Sequence, residues 1–317
     1  MLGKKLLDEI LTRKRLFTDQ QLMSLAWSFN AMKLMDNSAF SAFREEAVSR
    51  GEKKDQLIAQ KNFPAVSSID PINVFADLET YMILNKPSGM VVSLNTDFTD
   101  DDSHVMKREK RSGKSLEMQE LVAQYSLYPI CKDAKYGNGI MHRLDRETTG
   151  ALLVAKTYST YYDLRLQFAC NRVYKQYACI VHGWPVERDE WRSIRSPLST
   201  RKFAAGDMTS CVDPENGLPA HSEYKVINRL NDTLTNEKFS LVHVRTHTGR
   251  THQIRAHMES IGHPLLNDRR YGETHASNGR VKLHASEIGF LDEERPVTYT
   301  VPLPNDFQAV LDSLAHC

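Results

Sequence analysis

The chain predicts an α+β fold: a mixed, mostly antiparallel sheet with flanking helices, preceded by an N-terminal helical extension. Three observations carry that reading. Beyond residue 73 the strand-like apolar runs outnumber helical ones, the helical stretches there are isolated rather than alternating with strands, and the first fifty residues show helical spacing. No G-x-G-x-x-G follows a strand run, which argues against a dinucleotide fold.

In residues 1–50, Leu22, Leu25, Ala26, Phe29 and Met32 recur at helical spacing, as do Phe40, Phe43 and Ala47. Asp36-Asn37-Ser38 supplies the break and cap between them, giving a helical hairpin. L-A-W-S-F (Leu25 to Phe29) and F-R-E-E-A (Phe43 to Ala47) faintly resemble one unit of the helical repeats of organellar RNA-binding proteins. A single unit cannot bury its own face, so an extension packed on the main domain is expected. Residues 51–72 are polar, carry Pro64 and Pro71 and keep no period, so they read as a linker before a main domain over 73–317.

Within that domain, Thr80 to Val92 reads as strand, turn and strand around Lys86-Pro87-Ser88-Gly89. Residues 95–115 pass from acidic to basic and read as a solvated insert whose basic half, Lys107 to Lys114, could meet a phosphate backbone. Ala151 to Ala155 is a buried strand, Tyr162 to Cys170 a helix, and Gln176 to Gly183, Glu223 to Ile227, Phe239 to Thr246 and Val281 to Ala285 further strands.

Composition sets looser bounds. Lys+Arg 41 against Asp+Glu 40 gives a net charge of +1, so a polyanionic partner has to be argued from clustering. The five cysteines are widely spaced and never form C-x-x-C, which predicts reduced thiols in an intracellular protein. A cytoplasmic location is expected, with mitochondrion or plastid as the alternative suggested by a basic, amphipathic start; Asp8 and Glu9 in that start argue against a transit peptide. No apolar run is long enough for a membrane span, and a monomer is expected.

Two segments concentrate the chemistry. M-H-R-L-D-R-E-T-T-G (Met141 to Gly150) places Asp145 between Arg143 and Arg146 on a loop that enters a buried strand. Guanidinium neighbours keep such a carboxylate ionised, able to attack an electrophilic carbon or take a proton. T-G-R-T-H-Q-I-R-A-H (Thr248 to His257) turns and starts a helix with Thr251 as expected N-cap and Ile254 and Met258 on one face, leaving Arg255 beside the apolar stripe in want of an anionic partner. Arg245, Arg250, His252 and His257 would complete a basic strip. Metal binding by His243, His247, His252 and His257 is not expected: their spacing lacks a zinc-hydrolase helical pair, and the arginines repel a cation.

His142 to Lys156 together with Thr248 to His257 resembles the RluA-type pseudouridine synthases. Lys86 to Gly89, Val173 to Ala178 (V-Y-K-Q-Y-A), Ile261 to Gly272 and Lys282 to Ala285 resemble further motifs of that family, over roughly residues 75 to 305. Asn267-Asp268 stands where the family has Gly-Asp, and Asn tolerates a left-handed turn almost as glycine does; Ser93 replaces a common His. The resemblance implies isomerisation of uridine in structured rRNA or tRNA without a cofactor. It implies Asp145 as nucleophile, Arg255 paired with it, Tyr177 stacked on the base and assisting proton removal, and Leu283 as the pocket floor. Lys86, Arg143, Arg146, Arg250 and His252 are the candidates for RNA contacts, since a paired uridine has to be flipped out and held. The competing reading is a catalytically silent RNA-binding protein on the same fold.

Overall fold

The apolar runs at Ala151, Gln176, Glu223, Phe239 and Val281 all enter one sheet. The computed structural model describes residues 2–59, 73–92, 117–125, 127–186, 190–202, 208–272 and 279–316. Ser93, the 95–115 insert and residues 60–72 of the expected linker lie outside the described residues. In chain order the elements are α1 (Leu2–Thr12), α2 (Asp19–Ala31), α3 (Asn37–Ala59), β1 (Val74–Asp77), β2 (Tyr81–Lys86), α4 (Met118–Tyr125), β3 (Thr149–Ala155), α5 (Tyr158–Ala169), β4 (Tyr174–His182), β5 (Arg192–Ile194), β6 (Leu198–Lys202), β7 (Met208–Val212), β8 (Ser222–Asn231), β9 (Lys238–Thr246), α6 (Gln253–Ser260), β10 (Leu283–Asp292), β11 (Arg295–Thr300), α7 (Asn305–Ser313) and β12 (Ala315–His316).

The main sheet runs β1-β2-β3-β10-β4-β9-β8-β12, with β11 on β10 and β5 on β8; β6 and β7 form a separate hairpin. Among these strands only β3 and β10 pair in parallel, over His284 with Thr149 and Ala285 with Gly150. Gly150 is required there: at φ +111 its missing Cβ would meet the Ala285 carbonyl oxygen at 2.2 Å. Every residue of β3 is buried, as expected for a strand covered on both faces. The mixed α+β reading therefore holds.

The N-terminal region is larger than a hairpin. α1 precedes α2, and α3 continues through Gly51 to Ala59, so the expected linker boundary at residue 51 falls inside a helix. Gly51 marks a close approach rather than a stop: a Cβ there would lie 2.2 Å from Ser159 Cα. One turn later Asp55 caps α5, its carboxylate accepting from the Tyr158 and Ser159 amides at 2.9 and 3.0 Å, a type of contact worth about 1 kcal/mol. Arg44 grips Asp163 of α5 with two bonds of 2.6 and 2.8 Å. Asp36 caps α3 through the Ala39 amide, as its position predicts.

Candidate active site

The loop carrying Asp145 is fixed by its backbone. Lys86, at the end of β2, is fully buried and donates from Nζ to the carbonyls of Pro87, Arg146 and Thr148 at 2.9, 3.1 and 2.8 Å. Arg146 exchanges bonds with Gly89: the Gly89 amide donates to its carbonyl at 2.8 Å and its Nε donates to the Gly89 carbonyl at 3.2 Å. From the other side Arg280 donates to the carbonyls of Glu147 and Leu283 at 3.3 and 3.1 Å. The His142 ring accepts from the Leu153 amide at 3.1 Å, and burial holds its pKa down at about 3, so it is a neutral acceptor. Within this framework, the Asp145 side chain is one-fifth exposed.

Opposite it lies the start of α6. His252, not the expected Thr251, occupies the N-cap position, in a left-handed conformation at φ 51 without a side-chain cap. Gln253, the first helical residue, ties down the preceding turn, accepting from the Arg250 amide and the Thr248 hydroxyl at 3.0 and 2.7 Å. One turn inside, Arg255 approaches Asp145 at 3.9 Å, and His252 approaches it at 4.0 Å. The expected Asp145–Arg255 pair is thus present as an ion pair, but it is not the principal contact of Arg255. That contact is Asp268, whose buried carboxylate accepts from Nε and Nη2 at 2.7 Å each and from the amides of Arg270 and Tyr271 at 3.1 and 3.2 Å. Burial opposes the Arg255 cation, yet its bonds to Asp268 and the charges of Asp268 and Asp145 outweigh it and raise its pKa. Asn267 adopts φ 64, the left-handed turn its residue type allows.

The Tyr271 ring backs Arg255 at 4.9 Å, and its hydroxyl lies 3.2 Å from His252 Nδ1 and accepts from the Ser210 amide of β7 at 2.8 Å. Burial pushes His252 down to about 4 despite the opposing pull of Asp145, so its ring is uncharged near neutrality.

Tyr177 comes from the central strand β4, opposite Val244 of β9 and Ala285 of β10. Residues directly opposite share a face, so its ring stands on the side of Val244, while Gln176 and Arg245 point to the other. Burial first, then the Asp145 charge, pushes the Tyr177 phenol up to about 12; Thr246 pulls the other way. Leu283 is buried in the cluster of Val244 and Ile254, against which Tyr177 packs.

The expected basic strip divides. Arg143 and Arg146 are exposed on the Asp145 loop, and Arg250 is half-buried with Nε on the Pro219 carbonyl at 3.1 Å. Lys86 is not a phosphate contact, because it is buried and its three donors are spent on the backbone. His257 is fully buried between Ser222 Oγ and the Ser196 carbonyl, at 2.9 and 3.0 Å. Arg245, on the far face of β9, lies on Trp191 at 3.7 Å. His247 stacks on His221 at 4.2 Å and bonds Glu223 at 2.9 Å. Asp268, Tyr271, Gln253 and Arg280 are candidate site residues to which sequence reasoning gave no role; the first three stood inside quoted motifs, and Arg280 stood outside them.

A carboxylate facing a guanidinium, an aromatic ring and an apolar wall suits chemistry on a planar base. Residues 80–260 match the RNA pseudouridylate synthase family model, and the chain belongs to that family, whose reaction is an isomerisation of uridine in RNA. It is 30% identical to the ribosomal large subunit pseudouridine synthase C of Vibrio vulnificus over 83% of this chain and 76% of that protein. It is 29% identical to the ribosomal large subunit pseudouridine synthase D of Zymomonas mobilis over 77% of this chain and 73% of that one. The fold matches the solved structure of human RNA pseudouridylate synthase domain containing 1 with a TM-score of 0.57 and 20% identity, covering 80% and 92% of the two chains.

Proposed function

We propose that this protein converts a uridine of structured RNA, rRNA or tRNA, to pseudouridine with Asp145 as nucleophile. The single observation that supports Asp145 is the contrast at Arg255: one carboxylate is saturated by hydrogen bonds, while Asp145 stands at ion-pair distance and a fifth exposed on a loop whose backbone is anchored around it. The names of the bacterial relatives favour ribosomal RNA.

In this reading the uridine is flipped from its helix and lies against Tyr177, over Leu283. The Asp145 carboxylate adds to the target nucleoside, at ribose C1′ or on the uracil ring, and the N1–C1′ bond breaks. Uracil rotates and C5 bonds C1′, and the bond to Asp145 breaks to return the carboxylate; the C5 proton leaves and N1 gains one, so the atoms balance as an isomerisation. Arg255, anchored by Asp268, keeps Asp145 ionised and aimed. A Tyr177 phenol near 12 is protonated at neutral pH, but bonding of Asp145 to substrate removes the negative charge that helps raise it, and Tyr177 then becomes a better proton acceptor when C5 is deprotonated. Arg143, Arg146 and Arg250 contact the RNA backbone or the displaced strand.

Incubation with RNA from the source organism, followed by mapping of pseudouridine, tests the reading with Asp145→Asn as control. New pseudouridine from the wild type alone is expected. Equal modification by both proteins, or none by either, overturns it in favour of a silent RNA-binding protein.

A further inference from the structure

At the start of β4 is a cavity of about 200 Å³, lined by Phe168, Asn171, Arg172, Lys175, Arg245 and Thr246 among others, with no acidic residue among the described residues that line it. Two of its lining residues connect it to the candidate active site. Phe168 packs on the His142 ring at 5.7 Å, three residues before Asp145, and Thr246 acts on Tyr177. Lys175 precedes Tyr177 by two residues on one strand, so both side chains leave the same face, about 7 Å apart along it. Burial pulls the Lys175 ammonium down to about 8, with no carboxylate among the causes. A cation set in a partly buried, acid-free hollow is placed to receive an anion.

One lining residue, Arg172, is held from behind by the N-terminal helices. Arg172 lies on the Phe40 ring at 3.8 Å and donates to Asn37 Oδ1 at 3.0 Å, so α3 sets where this guanidinium sits.

We propose that this cavity is a phosphate subsite, in which Lys175 and Arg172 hold an RNA backbone phosphate next to the uridine placed against Tyr177. The subsite rests on the RNA-modifying reading above and gives the N-terminal layer a part in it: α3 fixes one of the two cations. Lys175 is a positioning residue, since it touches the backbone and not the reacting atoms.

The test is RNA affinity against salt, measured by anisotropy with a labelled oligouridylate and with bulk ribosomal RNA fragments. Lys175→Gln should weaken binding by about 5- to 20-fold and reduce the slope of log affinity against log salt by about one. Lys175→Arg should restore both, and Arg172→Gln should give a smaller loss in the same direction. Folding is checked by thermal midpoint, which Lys175→Gln should leave level or raised because it removes a poorly solvated charge. Affinity and slope that match the wild type in Lys175→Gln, at any level of binding, overturn the proposal. So does a Lys175 signal shift with inorganic phosphate unaccompanied by any RNA defect, which would assign the cavity to a free anion. Asp145→Asn separates the two readings: it should bind RNA like the wild type, and persistent turnover in it would remove the nucleophile while leaving the subsite standing.

Discussion

Asp145 and Asp268 flank the same guanidinium, yet the loops that carry them are built in opposite ways. Asp268 is fully buried and its oxygens are consumed by Arg255 and two backbone amides. Around Asp145 it is the carbonyls of Pro87, Arg146, Glu147 and Thr148 that are consumed, by Lys86 and Arg280, while the side chain stays one-fifth exposed and 3.9 Å from its partner. A carboxylate can serve structure or reactivity, and the difference lies in whether its lone pairs or its backbone do the anchoring.

The sharpest attack on this division is Asp145→Asn. Turnover should fall by about 10⁴-fold or more, with thermal stability and RNA affinity close to wild type in calorimetry and binding assays. Asp268→Asn should do the reverse first: it strands a buried guanidinium, which costs about 3 to 5 kcal/mol in denaturant unfolding, and activity falls with it. If the two substitutions cost equal stability, the comparison collapses. Arg255→Met should lower kcat more than RNA affinity; a defect confined to affinity would detach it from Asp145. Tyr177→Phe keeps the ring and loses the hydroxyl, so a kcat loss of about tenfold at saturating RNA is expected.

The smallest effect is on pH. Lys86 and Lys175 have folded-state pKa values pulled by burial from 10.5 to about 7 and about 8. The unfolded chain therefore binds more protons above those values, and these groups make stability rise with pH from about 7 or 8 toward about 10.5. Chemical denaturation across that range should show the rise, and Lys175→Gln should shrink it; an unchanged profile would place that lysine in solvent.

Much of the candidate site was legible because its residues sit in compact motifs: Asp145 on a loop entering β3, Tyr177 on strand β4, Arg255 in the first turn of α6. The sheet was legible from its apolar runs. What escaped was pairing at a distance. Asp268 lies thirteen residues beyond Arg255, and no periodicity links a helix to a following turn. Lys86 looked like a surface cation because lysine is rarely buried; its environment depends on carbonyls sixty and sixty-two residues away. Gly51 looked like the end of ordered helix, where its role is to let α3 touch α5. The β6–β7 hairpin, which holds Tyr271 through Ser210, left no apolar run to find.

The parallel seam between β3 and β10 bears on how the enzyme comes into being. Thr149 and His284, which meet across it through a 2.9 Å contact, stand 135 residues apart in the chain, and Arg280 reaches Glu147 over a similar span. Loop closure of that length is a late and slow event in folding. Asp145 leaves the ribosome early, but the scaffold that orients it closes only when the end of the domain has been made. A nascent chain therefore carries the proposed nucleophile unarmed.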